Sequence, residues 1–261
     1  MNAQQLALVK KDIRSVTANK RVLTAMLVVP IALTIVLPSI FVIGSILAPE
    51  TISDFQVLLD MLPATAEGSK QQLILGLLLN KIMPIFFLMI PIMVSSVMAA
   101  SSFVGEKEKR TLETLLYSPL SLKQLFQSKI LAGFLVGIAV SYLAFLAMIL
   151  TVEAEMLILT GNMILPDASW LVVMLLIAPA LSLAAIAITV RGSARAQSME
   201  ESQQRAVLLL FPLLALIIGQ FGGMLLINVW LLLGLGAILV VVDLLLMRGA
   251  AGRFTYEQLL K

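Results

Sequence analysis

The run from Ala206 to Met247 holds 42 residues and one charge, Asp243. Drawn out as a single helix it would be about 63 Å long, roughly twice the thickness of bilayer hydrocarbon. It must therefore fold back on itself. The expected turn lies near Asn228 or in the glycine-rich GQFGG of Gly219–Gly223. A segment this apolar needs a lipid environment, and the composition agrees. Hydrophobic residues make up 60% of the chain and charged residues 13%, against about 25% charged in a soluble domain. The chain reads as an all-α integral membrane protein.

Four further apolar runs are long enough to span. Val22–Ala48 has 27 residues, with Pro30 and Pro38 expected to kink it. A secretory signal would have a much shorter apolar core. Ile82–Val104, Ile130–Val152 and Ala168–Val190 follow, each free of charge. With the last run divided into 206–227 and 229–247, the transmembrane domain covers 22–247 with six spans. Residues 1–21 come before it, and Leu6, Val9, Ile13 and Val16 recur there at helical spacing among Lys10, Lys11, Asp12 and Arg14. This predicts an amphipathic helix on the membrane surface, the alternative being a plain polar tail. Residues 49–81 form an acidic outer segment, in which Gln71–Leu79 is either an interfacial helix or an extension of the second span. Residues 248–261 form a polar tail.

The distribution of charge tests the count. With both termini cytoplasmic, 16 of the 18 Lys and Arg residues lie inside, and only Lys70 and Lys81 fall outside. Reading 206–247 as one span would put Arg248, Arg253 and Lys261 on the wrong side. Six spans satisfy the positive-inside rule.

Little chemistry is available within the spans. The chain has no His and no Cys, which removes disulfides, His metal sites and Ser-His catalysis. Asp243 is essentially the only charge within a span, four residues from its end, where a carboxylate can reach the boundary. It is a poor basis for ion coupling, and intramembrane aspartyl proteolysis needs two such acids. Gly133 and Gly137 form a GxxxG, as do Gly219 and Gly223, and Ser95 and Ala99 have the same spacing. These pairs let helices approach closely, within the subunit or against a second copy. Gln220 and Asn228 either line a pathway or bond across helices, with the second preferred. No GxxxxGK[ST] loop occurs, so if ATP drives this protein, another chain binds it.

Charge is densest in the loop 105–129. Gly105 is expected to break or bend the helix leaving the second span. Glu106–Tyr117 then places Leu112, Leu115 and Leu116 on one side and Glu106, Lys109, Arg110 and Glu113 elsewhere, suiting a short amphipathic helix. Ser118-Pro119 ends it, because the residue before a proline disfavours helix. Ser121 and Gln124 read as a capping box that opens the next helix. Such a helix–turn–helix, joined to two spans, can transmit a push. A solvated connector with no partner is the alternative reading.

The stretch GEKEKRTLETLLYSPLSLKQLFQSKILAG resembles the cytoplasmic loop of type-2 ABC exporter permeases, of the sodium-efflux and multidrug permease kind. The matching elements are Glu106, Glu108, Arg110, Thr111, Leu112, Glu113, Leu115, Leu116, the turn Ser118, Pro119 and Ser121, and Lys129. RGSARAQSMEESQQ is similar to the family's segment before the fifth span. Arg110 departs from the pattern, since the family often has Gly before the Thr, and the outer segment 49–81 matches no family feature.

The resemblance implies a permease subunit that forms the substrate pathway and does no catalysis. It implies a second permease copy or a homologous permease, and two cytoplasmic ABC ATPase subunits carrying the ATP and Mg. The chain itself would bind no cofactor. Membrane lipids would surround it, and no nucleic acid would be involved. Glu106–Tyr117 would be the coupling helix docking on the ATPase, braced by the amphipathic helix. A secondary transporter or channel working without an ATPase is the alternative, and would need Asp243 or the Gln220–Asn228 region as its working site. An accessory subunit that moves nothing, or a membrane-embedded enzyme, stands further off. The apolar spans fit a hydrophobic drug, lipid or peptide better than a bare ion.

Overall fold

A computed structural model describes residues 2–47, 70–108, 120–193, 196, 198–221 and 228–251. The described residues are helical throughout apart from short caps and turns. Helix α1 is Ala3–Ala18. Helix α2 runs Lys20–Ile31, through a wider π turn at Ala32–Val36, to Leu47. Helix α3 starts at Lys70, passes a π turn at Leu78–Ile82 and continues through Met83–Phe87 and Met89–Glu108. Helix α4 is Leu122–Thr160. Helix α5 starts at Ala168, passes a π turn at Val173–Ile177 and ends at Ser193. Helix α6 is Met199–Gln204. A 3-10 turn at Ala206–Leu209 leads into α7, Leu210–Phe221, and α8 is Val229–Ala251.

Six helical stretches among the described residues are long and apolar enough to cross a membrane: Val22–Leu47, Gln72–Glu106, Lys123–Thr160, Ala168–Ser193, Met199–Gln220 and Val229–Leu246. Their outer faces carry Leu143, Leu146, Leu150, Ile158, Leu175 and Trp230, each more than half exposed. A soluble protein could not show so much contiguous apolar surface to water, but hydrocarbon solvates it. Helices α3 and α5 form the buried centre, and the other spans pack around them.

The segment before the second span is not a separate interfacial helix. It is the first part of α3, so the helix extends well past the charge-free run. Helix α4 likewise exceeds the run at 130–152 at both ends. Gly105 does not break α3, which continues to Glu108. A Cβ at that position would lie 3.3 Å from Met199 Sδ, so the glycine serves close packing of α6. Helix α7 ends at Phe221 and α8 begins at Val229, so most of the stretch expected to hold the turn between the last two spans lies outside the described residues. Asn228 caps α8, with Oδ1 accepting from Leu231 N at 2.9 Å.

Each π turn ends two residues before a proline: Pro38, Pro84 and Pro179. A proline ring lacks the N–H and collides with the carbonyl four residues back. Widening the preceding turn relieves that collision but shifts the hydrogen bonds to five residues. Met83 N then donates to Leu78 O and Ala178 N to Val173 O. The carbonyls of Leu79 and Met174 lose their regular donors, and aromatic side chains take their place. Trp170 Nε1 donates to Leu79 O at 3.1 Å, and Tyr142 Oη donates to Met174 O at 3.3 Å. Proline kinks are thereby tied to helix packing.

The Gly133/Gly137 pair works inside the subunit. Ser95 Oγ of α3 and Ser182 Oγ of α5 are 2.6 Å apart. A Cβ on Gly137 of α4 would fall 2.0 Å from the first and 2.9 Å from the second. Three helices meet there at backbone distance.

Candidate functional site

Helix α1 packs against α4 and the end of α3. Its buried face is Gln5, Leu8, Val9, Asp12 and Val16, while Leu6 is 57% exposed. The amphipathic helix exists, but its inward stripe is turned from the one read off Leu6, Val9, Ile13 and Val16. A charge sits in the middle of it. The reason lies across the interface, where Lys129 of α4 is also fully buried and needs an anion.

Lys129 Nζ lies 2.7 Å from Glu106 Oε2 and 3.5 Å from Asp12 Oδ2. It donates to Ser102 O at 2.6 Å and Ser102 Oγ at 3.1 Å. Ser102 Oγ in turn donates to Asp12 Oδ2 at 2.5 Å. Lys11 Nζ approaches Glu106 Oε1 at 2.5 Å from the solvent side. The Phe103 ring centroid lies 5.3 Å from Lys129 Nζ, close enough for a cation–π contact. Two ammonium groups thus face two carboxylates, and the node carries no net charge. Burying ions is costly unless each is paired and hydrogen-bonded, and here Asp12 and Lys129 meet that condition through Ser102.

The node stands at the root of the charged loop. Glu106 is two residues from the end of α3, and Lys129 is two turns into α4. Ser102 and Glu106 share a helix face because they are four residues apart. Phe103 and Phe126 stack across the same two helices, with centroids 5.2 Å apart. Helix α6 reaches the same end of α3 through Met199 on Gly105, and Ser202 Oγ donates to Thr189 O of α5 at 3.1 Å. Both stems of the loop are therefore tied to each other, to α1 and to the central α5.

Of the residues expected at a partner interface, Arg110, Thr111, Leu112, Glu113, Leu115 and Leu116, and the turn residues Ser118 and Pro119, lie outside the described residues. Glu108 ends α3. Glu106 is buried, its carboxylate turned into the protein toward Lys129 and Lys11. Ser121 caps α4 as expected: its Oγ accepts from Gln124 N, and its N donates to Gln124 Oε1 at 3.0 Å. Gly133 packs on Ile186 and Met98. Gln220 is buried on the last turn of α7, and its amide finds no partner among the described residues. Asp243 is buried as well, at 4% exposure. Asp12 and Ser102 are members of the node that the sequence did not single out.

No curated protein matches the chain significantly. A family model described as ABC-2 family transporter protein matches residues 65–233, which takes in Ser102, Glu106, the charged loop, Lys129, four of the six spans in full and the start of the last. The match covers well over half of the sequence, and the six apolar helices are what a multi-pass permease requires: the chain belongs to the ABC-2 transporter family.

Proposed function

We propose that this chain is the permease subunit of an ATP-driven exporter, forming the substrate pathway and taking its energy from separate ATPase subunits. Both termini and the loop 105–129 would lie in the cytoplasm, since 16 of the 18 Lys and Arg residues then fall on that side. Glu108–Tyr117 would dock on the ATPase, with Arg110 and Glu113 setting register and Leu112, Leu115 and Leu116 filling its groove. A second permease copy, or a homologous one, would complete the pathway.

The observation that carries this reading is the buried node under the loop. A passive connector has no need of a charged lysine held by two carboxylates at its root. A loop that must deliver force does, because its stems cannot splay without breaking the Lys129 contacts. Lys129, Asp12 and Glu106 would act as positioning residues, converting a push on the loop into a joint movement of α1, α3 and α4.

The experiment is export of a panel of hydrophobic fluorescent compounds from vesicles holding the chain with its ATPase. Export that needs ATP and the ATPase supports the reading. Export by the chain alone, driven by an ion gradient, would favour the secondary transporter and overturn it.

A further inference from the structure

Helices α7 and α8 follow each other in the chain but pack elsewhere: α8 lies along α5, and α7 rests against the Met83–Phe87 turn of α3. Between them is a cavity of about 220 Å³. Leu88 and Leu181 form its floor, Leu213 and Leu216 one wall, and Leu235 and Ile238 the other. The described residues that line it are all apolar. Ile238 lines the cavity and is also 62% exposed on the outside of the bundle. The space therefore opens sideways. Leu181 and Leu213 stand near the middle of their spans, which places the opening within the hydrocarbon layer.

An apolar void of this kind is costly to leave empty. Water would find no hydrogen-bond partner, and apolar cavities of about 150 Å³ are known to stay dry and take small apolar molecules. An unfilled cavity also loses the dispersion contacts of its lining. What lies outside the opening is the acyl region of the membrane. A flexible, narrow chain can enter sideways without leaving its headgroup behind.

We infer that the cavity between α7 and α8 is a binding site for one hydrocarbon chain of a membrane lipid. The inference does not rest on the ATPase-coupled reading and stands or falls separately from it. The occupant acts as a removable wedge, and it sets how far α7 can approach α8.

The test is photolabelling of the full chain in phosphatidylcholine vesicles containing a phosphatidylcholine with a diazirine in the middle of one acyl chain. Adducts are mapped by peptide mass spectrometry. Leu143 and Leu150 of α4 report open lipid contact, while Ile90 and Met98 report the sealed core. Labelling of the buried Leu181 and Leu213 at the level of Leu143 supports the site. In Leu216→Phe, or Leu235→Phe if the first does not purify, labelling at Leu181 should fall to the level of Ile90 with Leu143 unchanged. Adducts confined to the outer faces, or labelling at Leu181 that survives both fillings, would overturn it. So would rapid disulfide formation between two copies of Ile238→Cys, which is unique in a chain without native Cys, because a second copy would then cover the opening.

Discussion

Lys129 Nζ sits 2.7 Å from Glu106 Oε2, with its side chain fully buried. The two residues are 23 positions apart, and the intervening chain is the charged loop. The ion pair closes that loop at its root, and Asp12 and Ser102 hold the lysine from the side of α1.

Lys129→Met should leave Asp12 and Glu106 buried without their shared cation. Loss of one partner of a buried pair costs about 3–5 kcal/mol, and a fall in melting temperature of the detergent-solubilised protein reads it. Combining Lys129→Met with Asp12→Asn and Glu106→Gln should recover a substantial part of the loss, since no buried charge then lacks a partner. A triple variant no more stable than Lys129→Met would show that the node is not electrostatic in origin.

Gly137→Ala should be worse than Gly133→Ala. The first Cβ would fall 2.0 Å from Ser95 Oγ, the second 3.2 Å from a flexible Ile186 methyl. Overpacking costs about 1–3 kcal/mol, and Ser95→Ala should relieve part of it for Gly137→Ala by removing the nearest atom. Thermal melting of the single and double variants checks the ordering.

Trp170→Phe should cost about 1–3 kcal/mol, the penalty for a buried carbonyl left without a donor, because Leu79 O relies on the indole N–H. Tyr142→Phe should cost less, since Tyr142 is 37% exposed and its bond is longer.

At the opposite end of the bundle from the node, Lys81 pairs with Asp167 at 2.8 Å, with both side chains partly exposed. Lys81→Ala should change stability by no more than about 1 kcal/mol, and less at high salt. Asp167→Ala should cost about 1 kcal/mol more, because Asp167 Oδ1 also caps α5 by accepting from Ser169 N. Melting the two variants at low and high salt separates the terms.

Sequence and structure part company where a residue's role depends on distant partners. The six spans were legible because length and hydropathy are local properties. The Ser121–Gln124 capping box was legible for the same reason, its two members lying three residues apart. Asp12 was not, since Lys129 lies 117 residues further on, and the apolar spacing of Leu6, Val9, Ile13 and Val16 pointed to another stripe. The π turns left a trace in Pro38, Pro84 and Pro179. The rescue of the second and third by Trp170 and Tyr142 depends on packing that no local pattern encodes. A glycine in a helix looks like a break until, as at Gly105, the close approach of Met199 is seen.

The claim that the loop receives force from an ATPase and the node passes it on is tested most directly by co-purification of a co-expressed ABC ATPase subunit with three forms of the chain. The account predicts that the ATPase is retained by the wild type and by Lys129→Met, and lost from the double reversal Arg110→Glu with Glu113→Lys. An ATPase that fails to purify with the wild type, or that stays bound to the double reversal, would contradict it.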